Sequence, residues 1–183
     1  GADCQHPQGP ASNLDGLSQH PVVLVSWDDA AAFCEWTGSR LPTEVQWEYA
    51  ARGPESPVYP WDDAFDGEKL NYCDRNCPLD WADQNVDDGY EFTAPVGTYS
   101  EGASWVGALD MAGNVWEWVN DWYDSEYYSN SRGENPPGPA SGEYRVLRGG
   151  AWNDNDSNAR SSNRISYQPG NRFILVGFRC AQE

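Results

Sequence analysis

The apolar positions of this chain follow two rhythms. Early on they repeat with helical spacing; beyond Gly53 they break into short runs punctuated by Gly, Pro and Asn. "PVVLVSW" is rich in β-branched residues and predicts a buried strand over Val22–Val25. Ser26 then stands where a helix cap belongs. The following "DDAAAFCEWTG" has an acidic start that suits the helix dipole, and Gly38 marks its end. In "RLPTEVQWEYAARG", Thr43 and Gln46 have the spacing of a capping box ahead of Trp47, Ala50 and Ala51, which predicts a second helix. The later runs "TAPVGTY", "NVWEWVNDWY", "YRVLRGG" and "VGFRC" predict short strands. Within "NVWEWV", alternation sends Trp116 and Trp118 to one face and Val115, Glu117 and Val119 to the other. Glu117 then needs a partner or a metal, because burying a lone carboxylate is costly. "SEYYSNSRGENPPGPASG" is a long surface excursion whose Pro-Pro-Gly-Pro forbids regular structure. The pattern predicts one α+β domain with two short helices, short antiparallel strands and much irregular structure.

Length and composition refine this picture. A chain of 183 residues suits one domain with a real core, and ten Trp and ten Tyr supply much of it. The net charge of -18 repels phosphate backbones, so nucleic acid is excluded as a partner. Most of the acidic residues in "WDDAFDGE" and "DQNVDDGYE" read as solvated surface, while a few suit calcium, a hard cation that prefers oxygen ligands. No apolar run approaches the roughly 20 residues that span a bilayer, and no secretory signal opens the chain, so membrane insertion is not expected. Compartment is left open. Residues 1–19 are expected to be an amino-terminal extension or truncated edge, and residues 20–183 the domain. An odd count of Cys argues against a complete disulfide framework. Cys73 and Cys77 in "CDRNC" are close enough to pair, to bind metal or to remain inert thiols.

Several stretches, in order, carry a resemblance: "HPVVLVSWDDAAAFCEWTGSRLPTEVQWEYAARG", "TAPVGTY", "GALDMAGNVWEWVNDWY", "YRVLRGGAW" and "VGFRC". Together they resemble the formylglycine-generating enzyme (sulfatase-modifying factor) family, whose fold is a variant of the C-type lectin fold. The resemblance implies two structural calcium sites. Matching positions give one from Asn71, Tyr72, Asp88 and Tyr90, and a second from Asp110, Gly113, Val115 and Glu117, with Gly113 and Val115 offering carbonyls. The alternative is an Asp/Glu/Asn hydrogen-bond network with no ion.

The family's oxidase also needs two cysteines after the Gly-Gly-small-aromatic element, to bind copper and activate a substrate cysteine. In "RGGAWNDNDSNARSSNR", Asp154 and Ala159 stand approximately at those positions. A carboxylate and a methyl cannot replace two soft thiolates around copper(I). With His6 and His20 the only histidines, a three-histidine iron site is also excluded. The chain is therefore expected to be neither a copper protein nor an enzyme.

A different branch of the fold fits the carboxy-terminal segment better. It resembles the variable proteins of diversity-generating retroelements, in which adenine-directed mutagenesis rewrites selected codons. An Asn codon randomised at its two adenines yields Phe, Ile, Leu, Ser, Tyr or Asp, among others, and never a stop. Ile165-Ser166-Tyr167 and Phe173-Ile174-Leu175 fit that rule. The further candidates within about 151–176 are Asn153, Asp154, Asn155, Ser157, Asn158, Asn163 and Asn171, set in a constant frame of "GG", "AR", "NR", "PG" and "GFRC". Tyr and Phe are rigid anchors and Ser and Asn adaptable hydrogen-bonders, as in antibody loops. The resemblance implies a non-catalytic binder of a protein or other macromolecule, with most of this set on one solvent-exposed face. The alternatives are a family enzyme with altered chemistry and an inert module of a larger signalling protein.

Overall fold

The computed structural model describes residues 1–131 and 133–182. Helix α1 spans Trp27–Trp36 and helix α2 spans Glu44–Arg52. Both start on capping boxes, Ser26 with Asp29 and Thr43 with Gln46, so two otherwise orphaned amides are satisfied at each entry. Two 3-10 turns follow, Gly67–Lys69 and Ser100–Gly102, and a short helix α3, Tyr127–Asn130, lies in the surface excursion. Of that excursion Arg132 is outside the described residues.

Four strands form one sheet: β1 Trp116–Trp122, β2 Arg145–Arg148, β3 Arg164–Tyr167 and β4 Val176–Phe178, in the order β3-β2-β1-β4. β1 pairs antiparallel with β2, and β2 with β3; β1 and β4 run parallel, Trp116 opposite Val176. The sheet is thus mixed where antiparallel pairing alone was expected. Two other expectations fail for local reasons. Val22–Val25 is not a strand, because Leu24 adopts φ +59, a left-handed conformation that breaks extended backbone. Val23 and Val25 still point inward. "TAPVGTY" is a turn region, where the Asn114 side chain takes the place of a strand partner: its Oδ1 accepts from Ala94 N at 3.0 Å and its Nδ2 donates to Ala94 O at 3.2 Å.

Alternation along β1 divides the core. Trp116, Trp118, Leu147 and Val176 pack on one face against Ala30 and Cys34 of α1. Val119 and Val146 pack on the other against Trp47 and Ala51 of α2. Cys34 is joined to Cys180 and Cys73 to Cys77, while Cys4 is a free, exposed thiol. The first bridge ties α1 to the end of the chain, where Arg40 and Ala181 also pair backbone to backbone. Among the described residues no helix is long and apolar enough to cross a membrane.

Candidate binding surface

The segment after β2 leaves the sheet at Gly149 and Gly150, both with positive φ, and returns as β3. Its polar residues mostly hold one another. Asp154 accepts from Ala151 N at 2.9 Å and Asn158 Nδ2 at 2.7 Å, and its carbonyl takes Cys73 N at 2.9 Å. Burial pushes the Asp154 carboxyl up in pKa, against these donors. Asn155 Oδ1 accepts from Ser157 N and Oγ. Asn163 Nδ2 donates to Asn158, and Asn163 Oδ1 takes Arg164 N. Asn153 differs: its carbonyl accepts from the exposed Trp81 indole at 3.1 Å, and its buried Oδ1 has no partner. Ala159 is 1 % exposed, among Tyr59, Leu70, Tyr72 and Ala112. A buried methyl and a hydrogen-bonded carboxylate therefore occupy these two positions.

The base of this loop is locked by charges that sequence reading missed. Fully buried Arg148 donates to Glu44, Glu48 and the carbonyls of Ser161 and Ser162. Arg164 grips Glu44 at 2.8 and 2.7 Å, and the Tyr128 hydroxyl adds a bond at 3.1 Å. Two guanidinium groups around one nearly buried carboxylate compensate its desolvation, and they fix the start of β3 to α2.

The hydrophobic candidates divide between two sides. Pairing places Ile165 opposite Leu147 and Tyr167 opposite Arg145, on the α1 face, and turns Ser166 to the α2 face opposite Val146. Phe173 and Leu175 also pack against the α1 core, whereas Ile174 packs with Trp152 and the Cys73–Cys77 bridge. Within β3 successive side chains turn to opposite sides, so Ser166 is separated from Ile165 and Tyr167. All thirteen candidates nonetheless retain solvent access; Asn155 and Ser157 are exposed and the others, Asn171 included, half-buried. The rings of Tyr167 and Phe173 meet at 4.7 Å. Beside Tyr167, Arg145 lies between the rings of Trp27 and Trp122 at 3.6 and 3.5 Å. Arg172 holds the intervening turn to α1 through Asp29 at 2.6 Å, and Pro169 O accepts from Trp27 N at 2.9 Å.

Of the two expected calcium sets, the first leaves a buried polar atom unsatisfied. Asn71 is 1 % exposed, and its Oδ1 is buried without a partner. Asp88 lies beside it, accepting from Tyr72 N at 3.3 Å and Tyr90 N at 2.9 Å, and burial pushes its pKa up to about 7. A half-buried carboxylate and an orphaned amide oxygen are donor types that a hard cation takes. The second set is differently occupied. Glu117 accepts from Trp47 Nε1 at 2.7 Å and is paired with Arg179, which also binds the carbonyls of Leu109 and Asp110. Asp110 Oδ2 takes Gly97 N at 2.7 Å, and Gly113 and Val115 lie in the turn leading to β1. A guanidinium already balances this carboxylate.

The small mixed sheet, the two capped helices and the long loops between strands define a C-type lectin fold of the formylglycine-generating-enzyme type. The sulfatase-modifying factor enzyme 1-like domain matches residues 1–183, and the chain belongs to that family. It is 41% identical over 197 residues to the formylglycine-generating enzyme of Streptomyces coelicolor, covering 100% of this chain and 59% of the relative. It is 36% identical over 183 residues to the inactive C-alpha-formylglycine-generating enzyme 2 of Mus musculus, covering 97% and 54%. The chain thus spans about half to three fifths of the length of its curated relatives. Among solved structures, the Treponema denticola variable protein 1 shares the fold, with a TM-score of 0.77 and 24% identity over 96% of this chain and 76% of that one.

Proposed function

We propose that this domain is a non-catalytic binding module that recognises a protein or other exposed macromolecule through the side chains of residues 153–175. One observation carries the reading: Asp154 is hydrogen-bonded and the Ala159 methyl is packed, at the positions where the resemblance would put the oxidase's thiols, while the candidates downstream keep solvent access on a locked frame. The Glu44–Arg148–Arg164 lock and the Arg172–Asp29 tether hold the backbone through residues outside the candidate set. Separating frame from contact residues lets the contacts change without loss of the fold. A fold shared with the Treponema denticola variable protein 1 is compatible with this use, as is a relative named as inactive. The first set, Asn71, Tyr72, Asp88 and Tyr90, holds calcium in this reading, joining two loops beneath the surface.

The test pairs a loss and a gain. Incubated with copper(I), oxygen and a cysteine-containing peptide, the domain should form no aldehyde; catalytic aldehyde formation would overturn the reading. Tyr167→Ser and Phe173→Asn, each reachable under the codon rule, should keep the melting temperature within a few degrees. In an affinity-capture experiment the same variants should change which proteins are retained.

A further inference from the structure

A cleft of about 610 Å³ opens on the side of residues 173–175 opposite Tyr167 and Phe173. One wall comes from residues 4–23 and the other from residues 89–93, and Ile174 lies between them. The walls are tied together and to the candidate segment. Val96 N donates to Gln19 O at 2.8 Å, His20 Nδ1 meets Thr93 Oγ1 at 2.9 Å, and Leu24 N donates to Phe173 O at 3.0 Å. The lining is mostly apolar, from buried Val23 and half-buried Phe92 out to Leu14 and Val22, which are 51% and 43% exposed at the rim. The volume lies in the range of ligand sites, and apolar surface predominates in the lining. The exposed apolar rim at Leu14 and Val22 suits a ligand that extends beyond the cleft.

Charge selects further. The acidic residue lining the cleft is Glu91, no Lys or Arg among the described residues lines it, and burial keeps the His20 imidazole toward its neutral form. In a chain of net charge -18, an acidic segment would be repelled.

We infer that this cleft is a recognition subsite for an extended peptide segment of a protein partner, bearing large apolar side chains next to Lys or Arg, with Ile174 setting which side chain fits its floor. The inference rests on the binding reading above only in treating Ile174 as free to vary. Recognition then uses both sides of residues 173–175: an aromatic surface on one and a cleft on the other.

The probe is a blocked Lys-Leu-Phe-Leu-Lys peptide titrated into the 15N-labelled domain, with Glu-Leu-Phe-Leu-Glu as its counterpart. The lysine peptide should shift the amides of Leu17, Val22, Phe92 and Ile174. The glutamate peptide should bind at least tenfold more weakly. Ile174→Trp, which fills the floor, and Leu14→Asp, which charges the exposed rim, should each weaken binding tenfold or more. Shifts confined to Ile165, Tyr167 and Phe173 would overturn the subsite while leaving the surface reading intact. Equal binding of the two peptides would overturn its charge selection, and no shift at millimolar peptide would overturn it outright.

Discussion

At the scale of single residues, the buried charges separate into matched and unmatched. Glu44 has two guanidinium partners, and Glu117 has Arg179 and Trp47. Asp121 is less well served. It is 2 % exposed, one oxygen accepts from Glu44 N at 2.7 Å, and the other has no partner. Burial pushes its pKa up to about 6, with the nearby Glu44 charge adding to the shift. The folded state therefore holds a proton on Asp121 at pH values where the unfolded chain has lost it. Stability from this group is fully present below about pH 4 and falls as pH rises through about 6. Asp121→Asn keeps an oxygen for Glu44 N and removes the charge. It should flatten the fall in stability between pH 4 and 7 and raise stability at pH 8 by about 2 kcal/mol. Chemical denaturation across that range measures both effects, and an unchanged slope would assign it to another group.

At the scale of elements, local signals were readable and distant ones were not. Both long helices follow from capping boxes and apolar spacing written within a dozen residues. β1, β2 and β4 were legible as apolar runs, but the parallel pairing of β1 with β4 joins residues about sixty positions apart and leaves no local trace. Ile165-Ser166-Tyr167 stood out by composition as candidate contact residues, which hid their second role as strand β3. The apolar run at Val22–Val25 was readable, but not the left-handed turn at Leu24. The ion lock was invisible for the same reason as the parallel pair, since Glu44 meets Arg148 and Arg164 across 104 and 120 positions. The cleft was hidden too, because it is assembled from three separate stretches. Calcium is a prediction at this scale, because the Asn71 and Asp88 loops meet around the unsatisfied Asn71 oxygen. Calcium should raise the melting temperature by several degrees over a chelator control. Asp88→Asn should abolish that response while leaving the chelated protein no less stable at pH 8. A full calcium response in the variant would remove Asp88 from the ligand set.

At the scale of the whole molecule, frame and contact residues have distinct chemistry. The frame is made of aromatic cores on both faces of the sheet, buried ion pairs and disulfides. The candidate contacts lie along edge strand β3 and the turns around it, where a side chain can change size without opening a cavity in the middle of the sheet. The Cys34–Cys180 bridge has a further consequence for the life of the molecule in a protease-rich setting. Its 146-residue span encloses the exposed excursion around Ser125–Gly142 and every candidate contact residue. A single cut in the excursion therefore severs the backbone without releasing either piece. Limited proteolysis should yield material that migrates as one species without reductant and as two with it. The two halves meet along the β1–β2 ladder, so the nicked domain should still display its contact residues until the bridge is reduced.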